Sequence, residues 1–444
     1  MKITNSLLEQ ALKIESCPSF TATGISIDSR TINKGELFIA IGKKGNSFVK
    51  QAIENGARLA IVDDPLCVIA EKTVLVPNAL EALKSIGLHI KRISNPKEIV
   101  GITGSVGKTT TKAWIHSILE NKFNVVSSMK NYNTIYGLPI SLALLEEDTD
   151  YGIFEMGSNN VGEIAELSKY LKPDIAVITN IYDAHIGRFG NLENLANEKI
   201  SIIEGMKSGC TLIYDGDSEF MSTIVSRAKA NGIKLISVGF KKHCEFRITS
   251  YRDYVKAQTP IGTIEYQLDS TYRHYVYVSL CVFATIHAIG LNILDFLGYC
   301  KNLKPMVGRG KVSEHLFNGK YFKIIDESYN ASPAAVLSTL EYFNNIQAKS
   351  KIIVLGQIKE LGDMELRYHK LVANAIHKIS VNNVFFIGDK SLWNTMCVEC
   401  FENLDNFSIE KILKTAQNGS VILLKGSRDI GLDKIISYIK CSTI

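Results

Sequence analysis

Apolar and polar positions alternate along the chain with two periods, and their order predicts an α/β protein. Short apolar runs typical of buried strands recur between stretches whose apolar residues repeat every three or four positions, as in amphipathic helices. Strands are predicted near residues 26–28, 37–41, 59–62, 99–102, 153–155, 175–179, 212–214, 321–326, 352–355, 384–387 and 421–424. Helices are predicted over residues 1–14, about 49–55, from 108 onward and over roughly 274–289. Two alternating runs around Gly262 predict an antiparallel hairpin within residues 244–268.

This order predicts three domains. Residues 1–95 form a small N-terminal αβ domain that ends at Ser94-Asn95-Pro96. Residues 96–303 have the strand–helix alternation of a central, doubly wound and mainly parallel sheet. The sequence of residues 304–310 is typical of a linker. It begins the predicted C-terminal domain, a Rossmann-like βα domain over residues 304–444.

Composition narrows the class of protein. Hydrophobic residues make up 46% and charged residues 21% of 444 residues, as in ordinary globular proteins, and no apolar run is long enough to cross a membrane. The net charge of +5 comes without a basic run, so nucleic acid is not an expected partner. The nine cysteines follow no metal-binding spacing, and Cys397 and Cys400 have no second pair, which predicts reduced thiols and a cytoplasmic protein. A monomer is the default expectation.

The stretch 98–115 carries the clearest chemical motif. A predicted strand ending at Ile102 runs through a glycine-rich turn into a helix that begins with Lys108 and Thr109. Such a turn directs backbone N–H groups and a helix N-terminus at one point, which suits phosphate, while the lysine and threonine would contact phosphate oxygens and Mg²⁺. The strict phosphate-loop pattern is not met, because Ile102 stands where its first glycine belongs. An ordinary βα turn is the alternative.

Three further residues are candidates for metal binding or catalysis. Glu155 ends a strand at the sheet edge where doubly wound proteins bind ligands, and there it could hold Mg²⁺ or be a solvated strand end. His185 follows the next strand and could be a metal ligand or a surface residue. Lys199 lies in a helical stretch, and its spacing alone predicts a lysine that faces solvent.

Ordered motifs in all three predicted domains resemble the Mur ligases, the ATP-dependent amino-acid ligases of peptidoglycan synthesis. They are Asp28-Ser29-Arg30, Thr103-Gly104-Ser105-Val106-Gly107-Lys108-Thr109-Thr110, Asn131-Tyr132-Asn133, Glu155-Met156-Gly157, Asn180 to His185, Gly308-Arg309, Ser328-Tyr329-Asn330, Glu360-Leu361-Gly362 and Lys425-Gly426-Ser427-Arg428. The last three are similar to the branch that joins D-alanyl-D-alanine to UDP-N-acetylmuramoyl-tripeptide. The resemblance implies a central P-loop-type mononucleotide-binding sheet, an N-terminal domain that binds the UDP substrate, and a C-terminal domain that binds the dipeptide.

The resemblance also implies roles for individual residues. Nucleotide contacts are expected from Gly104, Ser105, Val106, Gly107, Lys108, Thr109, Thr110, His274, Arg309, Asp326 and Glu327. Mg²⁺ ligands are expected from Thr109, Glu155, His185 and Lys199, with Lys199 carried as a carbamate. Substrate contacts are expected from Ser29, Arg30, Asn131, Asn133, Thr134, Asn330, Lys425, Ser427 and Arg428. Lys108, Lys199, His185 and Arg309 are the expected catalytic residues.

The sequence departs from the family pattern at several positions. Tyr275 and Val278 replace the two amide side chains expected at the start of the helix near the adenine, and Gln357 stands where the family has an acid. Another Mur-type or folylpolyglutamate-type ligase and a nucleotide-binding module without catalysis are therefore the alternative functions. The 95 residues before the phosphate loop favour the UDP-binding enzyme, because folate enzymes begin close to that loop. Whether the third residue of the tripeptide is diaminopimelate or lysine stays open.

Overall fold

A computed structural model describes residues 2–129, 132–183, 186–268, 272–393 and 398–442. Over these ranges the chain is α/β, and its strands form four sheets. The expected fold class is confirmed. Asn131, His185 and Cys397 lie outside the described residues. No helix in the described ranges is both long and apolar enough to cross a membrane.

The N-terminal region contains a four-stranded parallel sheet. Its elements are β1 (Ile3–Thr4), α1 (Asn5–Leu12), β2 (Thr21–Ala22), β3 (Ile25–Ser26), β4 (Leu37–Ile39), α2 (Gly42–Asn46), α3 (Val49–Glu54), β5 (Leu59–Val62), β6 (Thr73–Leu75) and α4 (Ala79–Ser94). Strands β3, β4, β5 and β6 pair in that order, and β1 pairs with β2 in a separate ribbon. The helix predicted over 1–14 is shorter than expected because β1 takes up Ile3 and Thr4. The Thr4 side chain then caps α1 by accepting a hydrogen bond from the Leu7 N–H.

The central region contains a nine-stranded sheet. Its elements are β7 (Glu98–Thr103), α5 (Lys108–Leu119), β8 (Val125–Ser127), α6 (Gly137–Leu142), β9 (Tyr151–Glu155), α7 (Glu163–Leu171), β10 (Ile175–Ile178), α8 (Ile186–Phe189), α9 (Leu192–Ile200), β11 (Thr211–Asp215), α10 (Met221–Ala230), β12 (Lys234–Gly239), β13 (Phe246–Tyr251), β14 (Val255–Thr259), β15 (Gly262–Tyr266) and α11 (Arg273–Ala288). The order is β15-β14-β13-β12-β11-β10-β7-β9-β8. All pairs from β8 to β13 are parallel, and β14 and β15 form the predicted antiparallel hairpin at Gly262.

The C-terminal region contains a six-stranded sheet in the order β16-β17-β21-β18-β19-β20. Its elements are β16 (Lys311–Phe317), β17 (Lys320–Glu327), α12 (Pro333–Asn345), β18 (Ser350–Gly356), α13 (Glu365–Ile376), β19 (Asn383–Ile387), β20 (Val398–Phe401), α14 (Asn406–Thr415), β21 (Ser420–Lys425) and α15 (Lys434–Ser442). Only the edge strand β16 runs antiparallel to its neighbour. Each sheet is therefore formed by strands from one of the three predicted residue ranges. The exact domain boundaries at 95/96 and 303/304 stay predictions.

Apolar cores cover both faces of the central sheet and of the C-terminal sheet. One apolar core runs without a break from the N-terminal region to one face of the central sheet, and α5 and α11 cover the opposite face. The C-terminal sheet has its own core on each face. The carboxyl ends of β7, β9 and β10 then face the ends of β17 and β21, which is where open α/β sheets bind ligands.

Candidate active site

A cavity of about 210 Å³ lies between the central and C-terminal regions. Central residues that line it are Ser105, Val106, Gly107, Lys108, Thr109, Thr110, Asn133, Glu155, His274 and Tyr275. C-terminal residues that line it are Gly308, Arg309, Glu327, Tyr329, Asn330, Ala331, Ser332, Ala335 and Lys425. The cavity thus collects most of the nucleotide contacts expected from the sequence.

The turn between β7 and α5 forms one wall of this cavity. Gly104 has φ +137°, and a Cβ atom there would lie 2.1 Å from the Thr179 Oγ1 atom, so the turn requires glycine at this position. The twelve-residue helix α5 begins directly after Gly107. Its first N–H groups and the positive end of its dipole therefore meet the cavity, as a phosphate-binding turn requires.

The two residues that follow β10, Thr179 and Asn180, hold this turn in place. The Asn180 Oδ1 atom accepts a hydrogen bond from the Val106 N–H at 2.9 Å, and the Asn180 Nδ2 atom donates to the Val106 carbonyl at 2.9 Å. Thr179 Oγ1 donates to the same carbonyl at 2.7 Å, and Ser105 Oγ donates to the Tyr182 carbonyl at 2.8 Å. The phosphate loop is therefore fixed to the neighbouring strand before any ligand binds.

Lys108 points back into the turn. Its Nζ atom donates to the carbonyls of Gly104 at 2.7 Å and Ser105 at 3.2 Å. Burial lowers the pKa of Lys108; the charge of Arg309 adds to this, and Glu155 opposes it. The ammonium group thus lies at the point where phosphate oxygens would enter.

A hydroxyl, a carboxylate and an amide meet beside Lys108. The Thr109 hydroxyl donates to Glu155 Oε2 at 2.8 Å, and the Asn133 amide donates to Glu155 Oε1 at 2.9 Å. Glu155 is only 3% exposed, so it is not a solvated strand end. A hydroxyl and a buried carboxylate at one point form a hard oxygen set that fits Mg²⁺.

Lys199 is buried, and the solvent-facing position predicted from its spacing is wrong. Only 4% of the residue is exposed, because α9 packs this face against the segment after β9. Its Nζ atom donates to the Ser158 hydroxyl at 2.7 Å and lies 5.5 Å from the centroid of the Phe189 ring. Burial, with a smaller contribution from Lys108, lowers the pKa of Lys199 to about 7.

Arg309 enters the cavity from the C-terminal side. Its guanidinium lies 4.0 Å from the centroid of the Tyr329 ring, which orients it. The Asp326 carboxylate accepts from the Gly308 N–H at 2.9 Å and from the Ser328 hydroxyl at 2.6 Å. Asp326 is therefore engaged in bracing the Arg309 turn, whereas its neighbour Glu327 lines the cavity.

A buried ion pair forms the floor on the same side. Lys425 Nζ lies 2.9 Å from Glu327 Oε2, and both side chains are less than 10% exposed. The same ammonium donates to the Asn330 carbonyl at 3.1 Å. These residues end the neighbouring strands β17 and β21, so the register of the sheet sets the pair.

Aromatic side chains close the remaining wall. The Tyr275 ring stacks on Trp114 with centroids 5.3 Å apart, and the His274 ring lies 4.0 Å from the Tyr275 ring. Burial lowers the pKa of His274 to about 4, with Lys425 adding to the effect and Glu327 opposing it. Tyr275 thus fills the position of a missing amide with a buried aromatic ring, 0% exposed.

Several predicted site residues are not among those that line this cavity. In the N-terminal region, the Ser29 hydroxyl donates to Gln51 Oε1 at 2.7 Å, and Arg30 pairs with Asp28 on the surface at 2.7 Å. Thr134 accepts from the Gly137 N–H, and Arg428 pairs with Asp433 at 3.1 Å. The Ser427 hydroxyl accepts a hydrogen bond at 2.8 Å from the Lys359 N–H. Their substrate roles stay predictions. So do the substrate role of Asn131 and the metal-ligand and catalytic roles of His185, because both residues lie outside the described residues.

Sequence reasoning missed two features of the site. Lys112 lies one helical turn after Lys108, is 5% exposed, and donates to the Ser128 carbonyl. Its position at i+4 from Lys108 was the available signal. Gln357, which replaces an acid, donates to Glu365 Oε1 at 2.7 Å, so another carboxylate stands beside it. That neighbour comes from α13 and has no local signal in the sequence.

Comparisons with known proteins place these features in a family. A family model for the Mur ligase middle domain matches residues 102–286. A second model, for the Mur ligase glutamate ligase domain, matches residues 311–428. A UDP-N-acetylmuramoyl-tripeptide--D-alanyl-D-alanine ligase of Rickettsia prowazekii is 31% identical over 446 residues, covering 97% of this chain and 98% of that protein.

Two solved structures have the same architecture. The crystal structure of MurF from Acinetobacter baumannii superposes with a TM-score of 0.86 at 25% identity, covering 99% of each chain. MurF from Thermotoga maritima, solved in complex with ADP, superposes with a TM-score of 0.78 at 24% identity, covering 94% of this chain and 97% of that one. At 24% identity, the similarity to the Thermotoga maritima structure is evidence of a shared fold alone.

Proposed function

The chain belongs to the Mur ligase family, and from this premise we propose that it is the ATP-dependent ligase that joins D-alanyl-D-alanine to UDP-N-acetylmuramoyl-tripeptide. One observation carries the proposal beyond family membership. Lys108 and the Thr109–Glu155 pair come from the central region, Arg309 comes from the C-terminal region, and all four residues line a single cavity. A cavity with that charge suits a triphosphate held between two domains.

The reaction has to make a poor electrophile reactive. A carboxylate does not form an amide with an amine at neutral pH, because oxide cannot leave. The terminal carboxylate of the tripeptide attacks the γ-phosphorus of ATP, which yields an acyl phosphate and ADP. The free amine of the dipeptide then attacks the acyl carbon, the tetrahedral intermediate loses inorganic phosphate, and the amine proton is released to solvent.

The residues contribute position and charge to these steps. The N–H groups at the start of α5 and the Lys108 ammonium bind phosphate oxygens, and Arg309, oriented by Tyr329, approaches from the opposite side. Mg²⁺ held by Thr109 and Glu155 would neutralise phosphate charge. The C-terminal domain covers the cavity and keeps water from the acyl phosphate.

Lys199 is proposed to carry a carbamate. A buried ammonium near Lys108 is unfavourable, and burial lowers the pKa of Lys199 to about 7, so near pH 7 a substantial fraction of the amine is neutral, which is the form that reacts with CO₂. The neutral Lys199 nitrogen bonds to the carbon of CO₂, the electron pair of one C=O bond moves to its oxygen, and one N–H proton is released to solvent, so that a neutral amine becomes an anion. An anion at this position, with the Ser158 hydroxyl as a donor, would relieve the repulsion and support a metal ion.

The carbamate can be tested by chemical rescue. Lys199→Ala is expected to lose activity, and added formate is expected to restore part of it, because a free carboxylate can occupy the vacated volume. Lys199→Arg, which keeps the charge and cannot form the carbamate, should be inactive and unresponsive to formate. Full activity of Lys199→Ala without formate would contradict the proposal.

A phosphate-release assay separates the candidate functions. Turnover is expected only when ATP, UDP-N-acetylmuramoyl-tripeptide and D-alanyl-D-alanine are all present, with the pentapeptide product identified by mass spectrometry. Turnover with a folate and glutamate would favour the folylpolyglutamate-type ligase. Nucleotide binding without turnover in any mixture would favour a module without catalysis. Comparing tripeptides that end in diaminopimelate and in lysine would settle the third residue.

The cytoplasm is the proposed site of the reaction. Each of the eight cysteines that the structure describes is a free thiol, as expected in a reducing compartment. ATP is also available there.

A further inference from the structure

A small contact joins the central and C-terminal domains beside Lys199. We call it the strap, formed by α8 (Ile186–Phe189) and the loop 358–362. The Gly187 N–H donates to the Glu360 carbonyl at 3.2 Å. The Arg188 guanidinium donates to Glu360 Oε1 from Nε at 3.0 Å and from Nη2 at 2.6 Å. A backbone hydrogen bond from Gly187 and an ion pair with Arg188 therefore both hold Glu360 against α8.

Steric fit makes the strap specific. A Cβ atom on Gly187 would lie 2.6 Å from the Gly362 nitrogen and 2.9 Å from the Glu360 carbonyl oxygen, so only glycine permits this approach. Ile186 is 9% exposed and belongs to the apolar core of the C-terminal domain, where Leu361 is also buried. A central-domain side chain thus completes the core of its neighbour.

The ion pair alone does not account for the docking. The side chains of Arg188 and Glu360 are 45% and 33% exposed, and pairs as open as this one stabilise a fold only slightly. Burial of Ile186 and the close backbone contact supply the affinity. The pair restricts the rotation of α8 relative to the loop.

The strap also contacts the residues around Lys199. Phe189, the last residue of α8, is 3% exposed, and its ring lies beneath the Lys199 ammonium. The Asn194 side chain of α9 donates to the Phe189 carbonyl at 2.9 Å, which ties α8 to the helix that carries Lys199. A shift of α8 would therefore move the support of Lys199.

We propose that Gly187, Arg188 and Glu360 are positioning residues that make the geometry around Lys199 depend on docking of the C-terminal domain. This inference rests on the proposed function. It explains why a loop of the dipeptide-binding domain contacts a helix next to the carboxylate-activating site: the acyl phosphate would form only when the domain that delivers the amine is docked.

The first test measures, without substrates, whether loosening the strap opens the helix that carries Lys199. Gly187→Ala introduces a methyl group that the docked arrangement excludes, and Gly298→Ala is the matched control because its methyl group meets no atom within 4 Å. In hydrogen–deuterium exchange of the full chain, Gly187→Ala is expected to raise exchange over residues 192–200 by about tenfold, as for a locally opened segment. Exchange in β11 should not change. Wild-type exchange over 192–200 in Gly187→Ala would overturn the proposal, as would equal acceleration in Gly298→Ala.

The second test measures turnover. Arg188→Glu and Glu360→Arg are each expected to lower kcat by about tenfold with little change in KM for ATP, and the double exchange should regain most of the loss, as coupled neighbours do. Two singles as active as wild type, or a double variant no better than either single, would contradict the coupling. If the wild-type chain fails to make the pentapeptide, the proposed function fails, but the exchange result still decides whether the strap supports the helix of Lys199.

Discussion

Lys108, Arg309 and Lys425 line the cavity, and two further amines of the central domain, Lys112 and Lys199, are buried near it. Lys112 and Lys199 are at most 5% exposed, and the charge of Lys108 contributes to lowering the pKa of Lys199. Arg309 adds its charge from the C-terminal side and contributes to lowering the pKa of Lys108 and Lys112. Repulsion between buried cations is costly, so an anionic ligand in this cavity would stabilise the folded chain as well as react in it.

Lys108 is the residue whose loss should be most severe. Lys108→Ala removes a preorganised charge from the phosphate-binding turn, and loss of such a contact typically costs about a hundredfold or more in rate. Steady-state phosphate release with all three substrates measures it. Lys122→Ala, which removes a partly exposed amine just beyond α5, is the control and should retain activity. Near-normal turnover in Lys108→Ala would refute the assignment of the phosphate site.

His274 should make stability depend on mildly acidic pH. Its pKa is about 4 in the folded chain, below the ordinary 6.5, because burial disfavours the charged ring. Between these values the unfolded chain binds more protons, so folding stability falls as the pH drops from 6.5 towards 4. His274→Gln removes this contribution, and its melting temperature should decline less over that window than that of the wild type. His377→Gln, at an exposed helix end, should follow the wild type; parallel curves for all three chains would contradict the prediction.

At the scale of secondary-structure elements, the phosphate loop depends on a strand that contacts no phosphate. β10 pairs with β7 in parallel, so the residues that follow β10 arrive beside the turn that follows β7. Asn180 uses both ends of its amide to hold the peptide units around Val106. The loop is therefore shaped by the sheet rather than by the ligand.

Asn180→Ala should weaken nucleotide binding without abolishing chemistry. Two hydrogen bonds are lost, each worth about 0.5–1.5 kcal/mol, so the affinity for ATP is expected to fall by about tenfold. Calorimetric titration of the full chain with a non-hydrolysable ATP analogue and Mg²⁺ measures it. Asn121→Ala, beyond the opposite end of α5, is the control. An unchanged affinity in Asn180→Ala would show that the loop holds its shape unaided.

Local patterns predicted the elements whose signals lie within a few residues. The strand, glycine turn and helix over 98–119 and the hairpin at Gly262 were predicted because each has its own periodicity and turn residues. Tertiary packing decided the rest. The burial of Lys199 depends on the segment after β9, and the engagement of Asp326 with Gly308 depends on the linker. The four-residue helix α8 is too short to give a periodic signal.

At the scale of the whole molecule, the three regions differ in how far they depend on one another. The N-terminal and central regions share one continuous apolar core, in which α4 packs on α6. Leu138, Ile140 and Leu142 of α6 are at most 3% exposed, and deletion of residues 1–95 would uncover this side of the helix. The C-terminal region instead has its own cores on both faces of its sheet. Among the described residues, Ile186 and Leu192 are the central-region side chains that pack in these cores.

This difference predicts opposite behaviour for two fragments. Residues 304–444 should fold alone, because almost all of the apolar surface that packs their sheet lies within the fragment. Urea unfolding followed by the fluorescence of Trp393, which is 5% exposed, should show one cooperative transition. Residues 96–444 should aggregate, because the face of α6 that α4 covers would be exposed. A non-cooperative 304–444, or a monomeric and cooperatively folded 96–444, would mean that the core shared across residue 95 does not join the first two regions into one folding unit.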